Sequence, residues 1–162
     1  MSLIIRTYTE RDLPAITEIW NEIVQAADSF PGDHPLESSE AADMFASQTE
    51  TACAELDGEI VGVYILHPNN IGRCAHIANA SYGIKKGLRG QGIGRKLVEH
   101  SLERAKAHGF TALQFNAVVC TNTPAIKLYE DLGFERMCRV QHGYRLKDGS
   151  FADTFLFIKQ LD

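Results

Sequence analysis

The most constraining feature of this chain is a run of glycines between a predicted strand and a predicted helix. Gly90, Gly92 and Gly94 follow the apolar stretch that ends at Ile84, and an amphipathic segment comes directly after them. Backbone N–H groups and the helix dipole stabilise anions at a helix start, and glycine lets that backbone approach a phosphate closely. The segment from Arg89 to Gly94 therefore predicts a pyrophosphate-binding loop.

Hydrophobic periodicity divides the rest of the chain into strands and helices. Apolar residues at three-and-four spacing predict helices, and short apolar runs bounded by turn residues such as Asp57-Gly58 predict strands. The predicted helices span residues 13–27, 39–47, 92–108 and 123–133. The resulting order is β-α-α-β-β-β-α-β-α-β-β, an α/β chain with seven strands and about four helices. Residues 1–162 fit one domain.

The charge of the chain limits its partners. A net charge of −5 gives no extended basic field, so no nucleic-acid partner is expected. The one basic cluster brackets the glycine loop, which suits a small phosphorylated ligand. Its members are Lys85, Lys86, Arg89, Arg95 and Lys96.

Apolar runs and cysteines bear on location. No run of about 18 apolar residues is present to span a bilayer, so no membrane partner is expected. The four cysteines show no C-x-x-C pair and no zinc-like spacing with histidine, so they are expected to be reduced and mostly buried, and no metal is expected. A cytoplasmic location follows as a prediction.

The position and spacing of the loop distinguish it from the loops that bind dinucleotides or nucleoside triphosphates. A dinucleotide fold places G-x-G-x-x-G after its first strand, with an acidic residue about 20 residues later. Here the loop follows the fourth strand, its spacing is G-x-G-x-G, and the next strand ends in Val118-Val119-Cys120-Thr121. The Lys-Ser/Thr pair of a nucleoside triphosphate loop is also missing. Both nucleotide classes are disfavoured.

Two blocks carry a family resemblance. Arg89-Gly90-Gln91-Gly92-Ile93-Gly94 resembles the R/Q-x-x-G-x-G/A signature of the GNAT superfamily of N-acetyltransferases. The segment from Asn122 to Phe134 resembles the second motif of that family, N-x-x-A-x-x-L-Y-x-x-x-G-F. The resemblance implies a mixed, mostly antiparallel sheet with splayed fourth and fifth strands, acetyl-CoA as co-substrate, a small-molecule amine as acceptor, and a homodimer.

The resemblance also implies roles for particular residues. An N–H near Ile84 would stabilise the oxyanion, and Tyr129 would protonate the departing thiolate, which suits a phenol that is neutral at pH 7. The residues implied to bind acetyl-CoA are Ile84, Lys86, Arg89, Gly90, Gln91, Gly92, Ile93, Gly94, Arg95 and Asn122.

The acceptor side is less determined. Asn79 and Asn116 interrupt apolar strands beside the expected gap, and they resemble strand asparagines that hold the acceptor in GNAT enzymes acting on amino acid analogues such as phosphinothricin. Phe30 and His34, in the loop after the first helix, are expected to wall the acceptor pocket. Asn79 stands at the position where some members of that family carry a glutamate that could act as the general base, and asparagine cannot take a proton.

Three routes for the amine proton remain open at this level. A water chain could remove it, the amine could arrive neutral, or His76 or His34 could assist. A covalent route through Cys120 is disfavoured, because no histidine adjoins it in the sequence. A non-catalytic acyl-CoA-binding module and a nucleotide-dependent oxidoreductase are the alternative functions.

Overall fold

Seven strands form one mixed sheet in the computed structural model, which describes residues 2–162, in the order β1-β2-β3-β4-β5-β7-β6. The strands are β1 Leu3–Thr7, β2 Glu50–Leu56, β3 Glu59–Pro68, β4 Ile77–Ile84, β5 Ala112–Val119, β6 Glu135–Arg145 and β7 Phe151–Gln160. The helices are α1 Leu13–Ala26, α2 Ser38–Ala46, α3 Ile93–Ala107 and α4 Thr123–Asp131. The predicted element order and fold class are confirmed.

Local signals in the sequence fix the element ends. Asp57 and Gly58 both adopt positive φ, at 49° and 87°, which is the geometry of a tight hairpin turn between β2 and β3. Pro124 lies in the first turn of α4, where its missing N–H costs no hydrogen bond. Gly109 follows α3 with φ 87° and ends that helix.

The sheet carries a separate apolar core on each face. Val63 and Ile65 of β3 pack with α1 and α2, whereas Tyr64 and Leu66 pack with α3 and α4. This division follows from the alternation of side chains along a strand. The two helical layers therefore lie on opposite faces of the sheet.

The parallel pair β4–β5 is the weakest seam of the sheet. Its register covers only Ile77 with Ala112 and Ala78 with Leu113, after which the two strands diverge. On its other edge β5 bulges against β7 between Phe115 and Val118. The sequence pattern predicts that Phe115, Ala117 and Val119 alternate with Gln114, Asn116 and Val118. This prediction is wrong beyond Phe115, because the bulge exposes Ala117 and buries Val118.

The cysteines are unpaired, but the expectation that most are buried is wrong. Cys53 is buried, Cys120 is half-buried, and Cys74 and Cys138 are exposed. Cys74 ends a 3-10 turn and Cys138 lies on the edge strand β6, so neither has a covering layer. Across residues 2–162, no helix combines the length and apolar character needed to cross a membrane.

A partly buried ion pair ties β1 to the start of α1. Arg6 donates from two nitrogens to the Asp12 carboxylate, at 2.8 and 3.0 Å, and the backbone N–H of Thr9 donates to the same carboxylate at 2.7 Å. These hydrogen bonds, the Arg6 pair first, hold the pKa of Asp12 well below its usual value of 3.8.

The substitution Asp12→Asn is expected to lower the free energy of unfolding by about 2 kcal/mol at pH 7, because it removes the carboxylate that accepts two hydrogen bonds from Arg6 and leaves Arg6 only its 3.2 Å ion pair with Glu55. A depressed folded pKa contributes stability above the unfolded pKa and loses it as the pH falls toward the folded value. The stability gap between wild type and variant should therefore shrink from pH 7 to pH 3 in thermal melts. Asp57→Asn, at an exposed turn, is the control. An equal gap at both pH values would contradict the role of the carboxylate.

Candidate active site

A cavity of about 480 Å³ passes through the opening between β4 and β5. Both faces of the sheet contribute to its lining. The lining residues on the α3–α4 side include Tyr82, Arg89, Gly90, Gly94, Val98, Asn122, Pro124, Ala125, Leu128 and Tyr129. Those on the α1–α2 side are Ile23, Ser29, Phe30, Pro31, Asn79, Ser81 and Asn116. We call these two regions the loop end and the polar end of the cavity.

The backbone of β4 presents hydrogen-bonding groups to the opening. The N–H of Lys85 donates to the carbonyl of Val61 on β3, at 2.8 Å. Because backbone groups alternate direction along an antiparallel strand, the N–H of Ile84 points the other way, toward the gap where β5 has diverged. Ile84 also lines the cavity. Lys86, expected on the same strand, instead lies beyond the end of β4 and is exposed.

The glycine loop is open where a phosphate would lie. Gly90 and Gly92 have φ of 83° and 81°, and a β-carbon on either would meet no atom within 4 Å. Gly92 is the N-cap of α3 and, being glycine, supplies no side-chain cap to the first-turn N–H groups. Those N–H groups therefore remain available to an anionic ligand.

Charges around the loop favour an anion. The first turn of α3 has no acidic residue and instead carries Arg95 and Lys96, a placement that opposes the helix dipole unless an anion binds there. Arg95 and Lys96 both form ion pairs with Glu99, one turn further along α3. Lys85 pairs with Glu59. Within residues 2–162, no ion-pair partner is present for Lys86 or Arg89, so both cations are free for a ligand.

The other residues of the predicted coenzyme site differ in which groups, backbone or side chain, they can present to a ligand. The side chain of Ile93 is buried in the core, at 2% exposure, so only its backbone is available. Gln91 is exposed on the loop. Asn122 is the N-cap of α4, its side chain makes no capping hydrogen bond, and it lines the cavity. Its amide is therefore free to contact a ligand.

Tyr129 stands in an aromatic cluster beside the opening. Its ring centroid lies 4.4 Å from that of Phe115 and 5.6 Å from that of Phe134. Desolvation by this packing raises the pKa of the Tyr129 phenol well above its usual value of 10. The phenol consequently stays protonated at neutral pH and can donate a hydrogen bond or a proton.

Asn79 is oriented by the backbone of β5. Its Nδ2 donates to the carbonyl of Gln114 at 2.9 Å. A carbonyl only accepts, which fixes the amide orientation and leaves the Oδ1 of Asn79 as an acceptor. Asn79 of β4 pairs with His67 of β3, which lies two residues after Ile65. Ile65 packs with α1 and α2, and residues two apart on a strand share a face, so the Asn79 side chain lies on the α1–α2 face.

Asn116 lies on the same face and belongs to a chain of amides. Its side chain bonds to that of Gln114 at 2.9 Å and to that of Asn69 at 2.7 Å. The two predicted asparagines thus share Gln114, through its backbone and its side chain. Asn69 and Gln114 had no motif to mark them, because their role depends on the meeting of β3, β4 and β5.

The predicted histidines do not belong to the cavity lining. His34 is 70% exposed and faces Asp33 and Glu40, so its predicted place in the pocket wall is wrong. His76 is exposed beside the start of β4. Cys120 is also absent from the lining. Among the described residues, the titratable side chains that line the cavity are Tyr82, Arg89 and Tyr129.

Comparison with known proteins gives a consistent assignment. Residues 13–134 match the family model described as Acetyltransferase (GNAT) family. The chain is 28% identical over 166 residues to N-acetyltransferase aca1 of Schizosaccharomyces pombe, covering 91% of this chain and 79% of the relative. It is 24% identical over 156 residues to L-amino acid N-acetyltransferase AaaT of Escherichia coli, covering 94% of each.

Solved structures agree in fold. A GCN5-related N-acetyltransferase from Kribbella flavida superposes with a TM-score of 0.91 and 32% identity over 98% of each chain. A phosphinothricin acetyltransferase from Sinorhizobium meliloti, solved in complex with AcCoA, superposes with a TM-score of 0.91 and 24% identity, covering 99% of this chain and 89% of that one. The second likeness bears on the fold alone.

Proposed function

This chain belongs to the GNAT family of acetyltransferases and is an N-acetyltransferase, and we propose that it acetylates the amine of an amino acid or a close analogue. The donor in this proposal is acetyl-CoA, and the amine attacks it directly in a ternary complex. Relatives named for L-amino acids and for phosphinothricin support this acceptor class.

One observation carries the proposal. The cavity joins a cation-rich helix start, suited to a pyrophosphate, to a polar end lined by amides and two serines on the opposite face of the sheet. A donor with a long arm entering from the loop end would bring its thioester into the opening between β4 and β5. An amine entering from the polar end would meet it there, which is the arrangement that direct transfer needs.

Each group of the chain has a defined task in this proposal. Arg89 and the N–H groups at the start of α3 bind the pyrophosphate, and Asn122 contacts the pantetheine arm. The N–H of Ile84 stabilises negative charge that develops on the thioester oxygen, for which one well-placed donor contributes roughly 3 kcal/mol. The Tyr129 phenol donates to the sulfur as it departs.

The acceptor amine in this proposal reacts in its neutral form. The polar end offers amides and two serine hydroxyls, and the described residues place no carboxylate or imidazole in the cavity lining. We propose that the amine loses its proton to water before attack, so that kcat/KM rises with pH up to the pKa of the amine itself. Cys120 lies outside the lining, which supports direct attack over an acyl-cysteine route.

Thiol release from acetyl-CoA, measured with a panel of L-amino acids and phosphinothricin, tests the function. Thermal-shift titrations with acetyl-CoA, ATP and NAD accompany it, because a ligand at 100 times its Kd stabilises a protein by about 2.7 kcal/mol. We expect stabilisation by acetyl-CoA alone and amine-dependent thiol release. Stabilisation without release for every amine would favour a non-catalytic acyl-CoA-binding module, and stabilisation by NAD would favour an oxidoreductase.

The substitution Asn79→Ala is expected to raise the KM for the acceptor roughly tenfold, the effect of losing one hydrogen bond from Oδ1 to the amine. The KM for acetyl-CoA should stay unchanged, because Asn79 lies on the α1–α2 face. Asn70→Ala, which truncates an exposed amide outside the cavity, is the matched control in the same steady-state assay. Equal acceptor KM values for Asn79→Ala and wild type would refute the assignment.

Location and assembly belong to the same proposal. Four unpaired cysteines suit a reducing compartment, which supports the cytoplasm.

The edge of the sheet at β6 and β7 exposes Met137, Val140 and Phe151, at 57%, 45% and 57%, which supports a homodimer through this edge. Light scattering on the purified protein measures the mass directly.

A further inference from the structure

The wall of the polar end comes from the loop between α1 and α2. Phe30 and Pro31 of this loop line the cavity. The Phe30 ring packs on Trp20 of α1, with centroids 4.4 Å apart. Farther along the loop, the Asn21 side chain exchanges two hydrogen bonds with the backbone of Leu36. The backbone carbonyl of Phe30 accepts a hydrogen bond from a distant part of the chain.

That binding partner is Tyr144 of β6. Its hydroxyl donates to the Phe30 carbonyl at 2.6 Å, across 114 residues of sequence. Tyr144 is partly buried, and this burial raises the pKa of its phenol, so the hydroxyl keeps its proton at neutral pH. The bond joins the far edge of the sheet to the wall of the polar end.

A bulge in β6 sets the position of Tyr144. Val140 pairs with Thr154 and Tyr144 pairs with Ala152, so three residues of β6 oppose the single residue Asp153. Such a bulge redirects the strand and its side chains. The tyrosine therefore reaches the loop because the ladder is interrupted just before it.

Specific contacts hold the bulge in place. The Asp153 carboxylate accepts from the backbone N–H of His142 at 2.9 Å and from Arg139 at 2.6 Å. Gly143 packs so closely on Thr154 that a β-carbon would lie 2.3 Å from its hydroxyl oxygen. These contacts hold the bulge at a defined position in β6.

Space lies behind the loop as well as in front of it. A second hollow of about 400 Å³ lies between the loop and the end of β6, and Phe30, Pro31 and Tyr144 all border it. The Phe30 segment is thus a partition with room on both sides. Without the hydrogen bond from Tyr144, the partition has space into which it can withdraw.

We propose that Tyr144 is a positioning residue that sets the width of the acceptor pocket by holding the Phe30 wall against the polar end. The inference rests on the proposed function, since it assigns the acceptor to that end. Loss of the hydroxyl should loosen the wall, weaken the binding of small acceptors and leave the binding of acetyl-CoA at the loop end unaltered.

The experiment compares Tyr144→Phe with wild type by two readouts. Trp20 is the single tryptophan of the chain, so its fluorescence reports the packing of Phe30 without any acceptor. Acrylamide should quench Trp20 more strongly in the variant. In the thiol-release assay, the KM for the best L-amino acid of the panel should rise roughly two- to tenfold, with the KM for acetyl-CoA unchanged.

Tyr64→Phe is the matched control, because it also removes a tyrosine hydrogen bond, 2.8 Å long to His100, but on the α3–α4 face. It should change neither readout. Unaltered quenching in Tyr144→Phe, or increased quenching with an unaltered acceptor KM, would overturn the proposal. If wild type acetylates no amine of the panel, the acceptor assignment fails, whereas the quenching result still decides whether Tyr144 holds the wall.

Discussion

Replacing Tyr129 by phenylalanine is expected to lower kcat by roughly 100-fold or more, the range typical of a lost general acid. The ring remains in its aromatic cluster with Phe115 and Phe134, so only the hydroxyl is removed. Acetyl-CoA binding should stay near the wild-type value, because the pyrophosphate site does not involve this side chain. Steady-state kinetics and acetyl-CoA titration measure the two quantities separately.

The pH dependence sharpens this expectation. Burial raises the pKa of the Tyr129 phenol above 10, so the group remains protonated throughout the range from pH 7 to 10. No loss of kcat should arise from its ionisation in that range. Tyr8→Phe, at a partly buried residue that packs against the core of the opposite face, is the control. A Tyr129→Phe enzyme with wild-type kcat would remove the phenol from the mechanism.

Replacing Gly90 by aspartate should weaken acetyl-CoA binding by roughly 100-fold or more, because like charges brought together at a binding site cost several kcal/mol. The new carboxylate would enter the open space beside the start of α3 and would occupy the anion site itself. Aspartate tolerates positive φ better than most residues, so the loop should keep its shape. Isothermal titration with acetyl-CoA measures the effect.

Gly58→Asp separates charge at the loop from backbone strain. Gly58 has φ 87°, close to the 83° of Gly90, and a β-carbon there also meets no atom within 4 Å. It lies in the β2–β3 turn, outside the cavity lining. Both variants should melt at similar temperatures, and only Gly90→Asp should lose affinity. Equal affinities in the two variants would refute the pyrophosphate site.

The local parts of the fold followed from the sequence because their causes are local. Asp57-Gly58 specifies its turn, Gly92 specifies a helix start without a side-chain cap, and apolar spacing specifies the buried face of each helix. The two GNAT motifs placed the loop end of the cavity for the same reason. Contiguous backbone groups build that end, so their spacing in the sequence is their spacing in the fold.

Sequence reasoning failed where distant segments meet. His34 shares its loop with Phe30, yet Phe30 turns inward onto Trp20 while His34 faces Asp33 and Glu40. The alternation of β5 fails at a bulge that depends on its pairing with β7. Periodicity describes one strand at a time and carries no information about such pairings.

The sequence alone thus determined the order of strands and helices along the chain, the family and the anion-binding character of the segment from Arg89 to Gly94. The tertiary structure alone decided that the cavity crosses the sheet, that Gln114 joins Asn79 to Asn116, and that Tyr144 binds the Phe30 carbonyl. The physical reason is how far apart in the sequence the contacting groups lie. A helix start is formed by neighbours in the chain, whereas the polar end is formed by side chains up to 114 residues apart.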